Sequence, residues 1–251
     1  MASWEREFLA GNCNEVQARF FNTKPVEELF DTENDPWELN NLADDPAYAD
    51  RLVKMRKAAL DMAVSMRDAG FIPESDRSIR AGDVPIYDYM RSEALPYKEI
   101  VRAAVIASQK KPENLDHLGT MLHSDDSAIR YWGIQGLLLL GEDARPALQE
   151  IGVAAFDDSW NVSVLGAEIL YRMGMKAKAI KAFHRVLDCD KDMIRTLALN
   201  SIDDIGGTPE EFLAICKLIP AKYEKPARQY DIRALQGLLK KWRIDPATLG
   251  I

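Results

Sequence analysis

A spacing of 32 to 33 residues recurs through the second half of the chain and limits the fold more than any other feature. Ile129, Val162 and Ile194 lie 33 and 32 residues apart. Further positions keep the same phase, namely Gly133, Gly166 and Ala198, then Leu137, Leu170 and Ile202, and then the pairs Leu140-Gly141, Met173-Gly174 and Ile205-Gly206. Each copy opens with an aspartate that can cap a helix, closes with a glycine that can end one, and is followed by a second apolar helix. Two helices per unit predict an α-solenoid.

The type of repeat is indicated by the residues that open each copy. The segments AIR and MIR place a β-branched residue and an arginine after the aspartate, which resembles HEAT repeats, although this period is shorter. The middle copy, ILYRMGMKAKAIKAFHRVL, also fits the spacing of a tetratricopeptide unit. We favour the HEAT-like interpretation. The small residue at 133, 166 and 198 predicts that the two helices of a pair approach closely there.

The first third of the chain has a different pattern. Residues 16–30, VQARFFNTKPVEELF, predict a strand, a turn and a second strand. The following stretch, DTENDPWELNNLADDP, is rich in turn-forming residues and predicts a loop, anchored by Trp37, Leu39 and Leu42. A helix is predicted from Asp45-Pro46 to Gly70, with Asp45 as the N-cap.

These patterns predict a mainly α protein. A small α+β N-terminal segment, made of short antiparallel strands plus a helix, is expected at 1–75 and a connecting segment at 76–96. An α-solenoid of HEAT-like helical pairs is expected at 97–251.

Charge and hydropathy exclude some partners. A net charge of -8 removes the attraction that drives phosphate-backbone binding, so we expect no nucleic acid partner. The basic stretch Lys176–Lys181 is interpreted as a solvated helix face. No run of eighteen apolar residues occurs, so no membrane partner is expected. The opening MASWEREFLAGN carries charges where a signal peptide needs apolar residues, so the sequence predicts no signal peptide and leaves the location unassigned.

Residues able to bind metal or perform catalysis do not form a motif. Cys13, Cys189 and Cys216 are scattered, and the histidines 117, 123 and 184 lack a paired ligand, so neither set predicts a metal site. The carboxylates of 31–45 could suit calcium, but the loop lacks the glycine turn and closing glutamate of an EF-hand. Turn formation and helix capping explain them better. Tyr131, Trp132 and Trp160 are interpreted as packing between repeats rather than as a sugar platform.

One segment resembles a known family. The residues Glu28-Leu29-Phe30-Asp31 are followed by Asp35-Pro36-x-Glu38-x-Asn40-Asn41-Leu42 and by the helix Leu52 to Leu60. This pattern resembles the C-terminal part of sulfatases, the sulfuric ester hydrolases that share the alkaline-phosphatase fold. With its flanking sequence, the resemblance covers about the first third of the chain. It implies a small subdomain that packs against a large catalytic α/β domain, in a parent protein that is periplasmic or secreted.

The same resemblance implies that the chemistry lies elsewhere. A sulfatase needs a Cys/Ser-x-Pro/Ala-x-Arg motif, converted to formylglycine, and a calcium ion. None of Cys13, Cys189 and Cys216 stands in that context. We therefore assign no catalytic, cofactor-binding or metal-binding residue in this chain and expect it to be inactive alone, with no cofactor of its own.

Two functions follow as hypotheses. In the first, the chain is the non-catalytic C-terminal portion of a sulfatase, with the catalytic domain as its partner in cis or in trans and the solenoid shaping substrate access or contacting another protein. In the alternative, it is a free-standing helical-repeat scaffold that binds a protein partner. A third hypothesis, a hydrolase with another mechanism, lacks a nucleophile and base to support it.

Overall fold

The computed structural model describes residues 2–93, 95–224 and 229–251, which form two compact units, Met1–Ser65 and Met66–Ile251. We call these the N-terminal unit and the C-terminal unit. The α-helices, in chain order, are α1 Ala2–Leu9, α2 Glu15–Ala18, α3 Ala49–Met66, α4 Glu74–Ala81, α5 Ile86–Met90, α6 Tyr97–Ser108, α7 Leu115–Met121, α8 Ser127–Leu140, α9 Leu148–Ala154, α10 Trp160–Arg172, α11 Lys176–Leu187, α12 Asp192–Asp204, α13 Pro209–Cys216 and α14 Tyr230–Lys241. The predicted boundaries at 75 and 96 stay a prediction. None of the helices in the described ranges is long and apolar enough to cross a membrane.

The C-terminal unit is built from two layers of helices. In one layer α6, α8, α10, α12 and α14 each pack against the next. In the other, α7, α9 and α11 pack against the first layer, and α13 packs against α11. Most of the predicted repeat positions lie in the core between them, since Leu137, Val162, Leu170, Ile194 and Ile202 are almost fully buried, while Ile129 is partly buried against that core. The helices that the repeat predicts are therefore present, and their identity as HEAT-like units stays a prediction.

The small residues of the repeat mark the closest contacts between the layers. A Cβ atom added to Gly166 in α10 would lie 2.6 Å from the backbone nitrogen of Ala155 and 2.8 Å from its Cα. A Cβ on Gly133 in α8 would lie 2.9 Å from the carbonyl oxygen of Leu118 in α7. Gly133 and Gly166 thus face the second helix of the preceding unit, not the helix that follows them as the sequence predicted.

Capping differs between the three copies. Asp126 caps α8, because its carboxylate accepts hydrogen bonds from the backbone N–H groups of Ala128 and Ile129. The N-caps of α10 and α12 are Ser159 and Lys191, and neither caps with its side chain. The predicted aspartate cap is therefore right for the first copy only. The glycines that close the copies, 141, 174 and 206, all have positive φ, as a helix-ending glycine requires.

Two arginines of the repeat link one helix to the start of the next helix in the same layer. Arg130 of α8 donates from Nε and Nη2 to the two carboxylate oxygens of Asp157, at 2.8 and 2.9 Å. Arg195 of α12 donates from Nε to Asp231 of α14 at 2.7 Å, and only 2% and 0% of these two side chains is exposed. The Asp157 carboxylate also accepts from the backbone N–H of Ser159 at 2.7 Å, so it joins Arg130 to the turn that precedes α10.

The N-terminal unit is helical and irregular, and the predicted α+β segment is wrong. The structure shows no β-strand in any of its described residues. Residues 15–18 form α2 instead, because Asn14 and Gln17 make a reciprocal capping box. After α2 the backbone of 19–45 runs through turns with no partner strand. The loop and the helix after it are confirmed: Asp45 caps a 3-10 turn at Pro46–Tyr48 that leads into α3, although α3 ends at Met66 rather than at Gly70.

The close contact at Gly166 gives a stability prediction. The Gly166→Ala variant should lower the free energy of unfolding by about 1–3 kcal/mol, because its methyl group meets backbone atoms that cannot move aside locally. Urea unfolding followed by circular dichroism measures this. The control is Gly237→Ala in α14, where an added Cβ meets nothing within 4 Å and should stabilise the protein by about 0.5–1 kcal/mol. Equal effects of the two variants would contradict the proposed contact.

The buried ion pair gives a second stability prediction. Asp231→Ala leaves the Arg195 guanidinium buried without its carboxylate, and should lower the free energy of unfolding by about 3–5 kcal/mol. The matched control is Asp203→Ala, which removes the ion pair between Asp203 and Lys241. The side chains of these two residues are 33% and 66% exposed, respectively. That change should cost at most about 1 kcal/mol. A loss of similar size in the two variants, by the same urea measurement, would show that burial of the pair has no special role.

Candidate docking segment

The sulfatase-like motif folds into a loop that is held by its own asparagine and aspartate side chains. Asn41 is the central residue: its Oδ1 accepts from the backbone N–H groups of Leu29 at 2.9 Å and Ala43 at 3.0 Å. Its Nδ2 donates to the carbonyl oxygen of Glu27 at 3.3 Å. A backbone hydrogen bond from Leu42 to Leu29, 2.7 Å long, lies beside it. The two halves of the motif, 28–31 and 40–42, are therefore fastened to each other.

The acidic residues of the loop form turns. Asp31 accepts from the backbone N–H of Glu33 at 3.2 Å and from the side chain of Asn34 at 2.8 Å. Asp35 accepts from the backbone N–H of Asn40 at 2.7 Å. The hydrogen bond from the Asn34 side chain is the main cause that lowers the pKa of Asp31, and the Asn40 backbone has the same effect on the pKa of Asp35. These contacts match the turn interpretation of the loop.

An ion pair joins the loop to α3. Both nitrogens Nε and Nη2 of Arg56 donate to the two carboxylate oxygens of Glu27. The hydrogen bond from Arg56 is the main cause that lowers the pKa of Glu27. Because Asn41 also binds the backbone of Glu27, this one residue connects the motif to the helix.

Aromatic side chains at the start of the unit form a small cluster. Phe21 stacks on Phe8 of α1 with ring centroids 4.7 Å apart, and Trp4 lies 5.0 Å from Phe20. Residues that were expected to pair as strand neighbours thus pack on a helix instead. The cluster remains open to solvent, since Phe20 is 51% exposed.

The N-terminal unit leaves most of its apolar surface uncovered. Among its described residues Leu29 is the only one classed as buried. Trp37 is 81% exposed, so it does not anchor the loop on this chain as the sequence predicted, and Leu39 is exposed as well. Helix α3 buries no residue, and the methionines 55, 62 and 66 along one stripe of it are each more than half exposed. Their spacing of seven and four residues would have placed these methionines on one helix face from the sequence alone.

Other residues singled out in the sequence do not assemble into a site. Within the described ranges, no group of three or more His, Cys, Asp or Glu side chains is placed to bind a metal ion. Cys216 is buried in the core, and this burial raises the pKa of its thiol to about 12. The aromatic residues of the repeats pack against the core, where Trp132 donates to the carbonyl of Phe71 at 2.8 Å and Arg185 covers Trp160 at 4.4 Å. Lys176, at the start of the basic stretch, pairs with Glu211.

Comparison with known proteins supports a relation to sulfatases over part of the chain. The ulvan-active sulfatase of Formosa agariphila is 43% identical to this chain over 67 residues, which are 26% of this chain and 11% of that sulfatase. No family model and no solved structure matches the chain. Part of this chain is therefore similar to part of a sulfatase, and the chain spans about 11% of the length of that relative.

The central role of Asn41 is testable by substitution. Asn41→Ala removes the acceptor for two backbone N–H groups and should lower the free energy of local opening by about 1–2 kcal/mol. Hydrogen exchange of the Leu29 and Ala43 amides measures this directly. Asn41→Asp keeps the acceptor, now as a carboxylate, and replaces the donor to the Glu27 carbonyl by a second oxygen, so it should have the smaller effect on the Leu29 and Ala43 amides. Equal acceleration of exchange in the two variants would show that Asn41 does not hold the loop through Oδ1.

Proposed function

We propose that this chain is the non-catalytic C-terminal portion of a sulfatase, and that its N-terminal unit completes the surface of a catalytic domain that hydrolyses sulfate esters. The single observation that carries the proposal is the uncovered apolar surface of that unit. A unit whose described residues include one buried side chain cannot supply its own stability by burial of apolar area. A second protein surface is the usual way in which such a face is covered.

The sulfatase catalytic domain is the partner that the similarity supports. We infer that most of the 67 matching residues fall on the N-terminal unit, because the motif at 28–42 lies there. The hydrogen bonds of Asn41 hold that motif in one conformation, as a docking surface requires. The formylglycine and the calcium ion of such an enzyme would belong to the catalytic domain, and no residue of this chain is proposed to hold either.

Two things follow for the C-terminal unit. Its core is fully formed by its own helices, so this unit does not need a partner in order to fold. This observation favours a role as an additional surface beside the catalytic domain, for substrate access or protein contact. It also keeps the free-standing scaffold as the alternative function.

The first test is the coding sequence upstream of residue 1 in the same reading frame. A continuous sulfatase domain that carries the Cys/Ser-x-Pro/Ala-x-Arg motif supports the proposal. An in-frame stop codon, with no sulfatase gene beside it, contradicts the proposal and favours the free-standing scaffold.

The second test uses the full-length enzyme that such a frame would encode. Met55→Gln combined with Met62→Gln should lower its free energy of unfolding by about 2–4 kcal/mol, because two apolar side chains would lose a buried environment. Lys54→Gln combined with Lys57→Gln changes the same helix to the same residue type and should cost less than about 1 kcal/mol. If the methionine variant unfolds at the same temperature as the lysine variant, α3 is not covered by the catalytic domain.

A further inference from the structure

A groove on the surface of the C-terminal unit lies between α7 and α9 and is independent of the docking segment. Three cavities, of about 340, 480 and 140 Å³, share His123 in their lining. The first extends past Asp116 and Gly119 of α7, and the second extends past Phe156 toward Asp158. The third cavity also shares Glu150 with the first, and Leu122, Val153 and Asp157 with the second. The three therefore adjoin one another, and we describe them together as one groove across two consecutive helical pairs.

The floor of the groove is partly apolar. Leu115, Leu122, Pro146 and Phe156 line it, and so does Val153, which is 71% exposed although valine is an apolar residue. An added Cβ at Gly119 would meet nothing within 4 Å, so the groove is open at α7. The groove can therefore receive an apolar side chain from outside.

The rim of the groove is strongly acidic. It holds five carboxylates and one arginine, which leaves a formal charge of -4, half of the -8 of the whole chain. The carboxylates are Asp116, Asp125, Glu150, Asp157 and Asp158.

Most of this negative charge has no counterion among the residues that the structure describes. Arg130 neutralises Asp157, and it also donates to the carbonyl oxygens of Ser124 and Asp125, so it is fully occupied. The other four carboxylates form no ion pair with any residue in the described part of the chain. Glu150 is moreover only partly exposed, where an unpaired charge is less well solvated. A cationic ligand would relieve this repulsion.

We propose that this groove binds a peptide segment of a partner protein that carries lysine or arginine on both sides of an apolar residue. The positive side chains would pair with the four carboxylates on the rim, and the apolar residue would lie on Val153 and Leu122. Complementary charge gives such a site its specificity and its rate of association. A groove that continues from one helical pair to the next suits an extended segment.

The experiment measures binding of a fluorescein-labelled nonapeptide of alternating lysine and leucine by fluorescence anisotropy, using the full chain. The groove variant Asp116→Asn, Glu150→Gln, Asp158→Asn should weaken binding by about tenfold. The control variant Asp83→Asn, Asp88→Asn, Glu99→Gln removes the same number of exposed, unpaired carboxylates elsewhere on the unit and should change binding less than about twofold. Equal weakening by both variants would overturn the proposal, because it would show that the peptide is attracted only by the net charge of the protein. Absence of binding to the unmodified chain would also overturn it.

Two further measurements test the apolar contact and the choice of occupant. Val153→Ser should weaken binding of the lysine–leucine peptide but leave binding of a lysine–serine peptide unchanged. Equal effects on the two peptides would contradict the proposed contact between Val153 and an apolar residue of the peptide. Sedimentation of the chain alone tests a second copy as the occupant. Self-association that the groove variant abolishes would assign the groove to that second copy and would overturn binding of a partner peptide.

Discussion

The C-terminal unit depends on the absence of a side chain at two points. At Gly133 and Gly166 a helix lies so close to the helix before it that a single methyl group would overlap backbone atoms. This contact fixes the distance between the two layers at each repeat, and the buried leucines and isoleucines fill the space that the distance defines. Arginine links from α8 and α12 then join these two helices to the start of the next helix in their layer.

The two units balance apolar and polar contacts in opposite ways. The C-terminal unit buries a continuous apolar core and adds ion pairs that range from partly exposed to fully buried. The N-terminal unit has one buried residue among those described and is held by hydrogen bonds of Asn41, Asp31 and Asp35 and by the Glu27–Arg56 pair. Each exposed hydrogen bond or ion pair contributes little to the free energy of folding. This contrast is the physical reason why we propose that the N-terminal unit, unlike the C-terminal unit, depends on a second protein surface for its stability.

Sequence patterns predicted the helices of the repeat because period and phase report directly on buried faces. These patterns failed where they show that a face is apolar but do not show which surface, if any, covers that face. The residues 16–30 were interpreted as strands, although the segment Asn14-Glu15-Val16-Gln17 already carried the signal of a capping box. Met55 has helical spacing, but more than half of it is exposed in the described structure. The groove could not be predicted, because it arises from the placement of α7 beside α9 and not from any local motif.

The loop that carries the sulfatase-like motif is already ordered in the isolated chain by its own hydrogen bonds. A segment that becomes ordered only upon association loses conformational entropy at that step, at about 1–2 kcal/mol for each residue of backbone. The loop around Asn41 has lost most of that conformational entropy during folding. Association therefore costs less entropy, and more of the free energy of the interface contacts remains as binding affinity. A face with this property can associate as a separate chain as well as within one polypeptide, because covalent attachment is not needed to shape it.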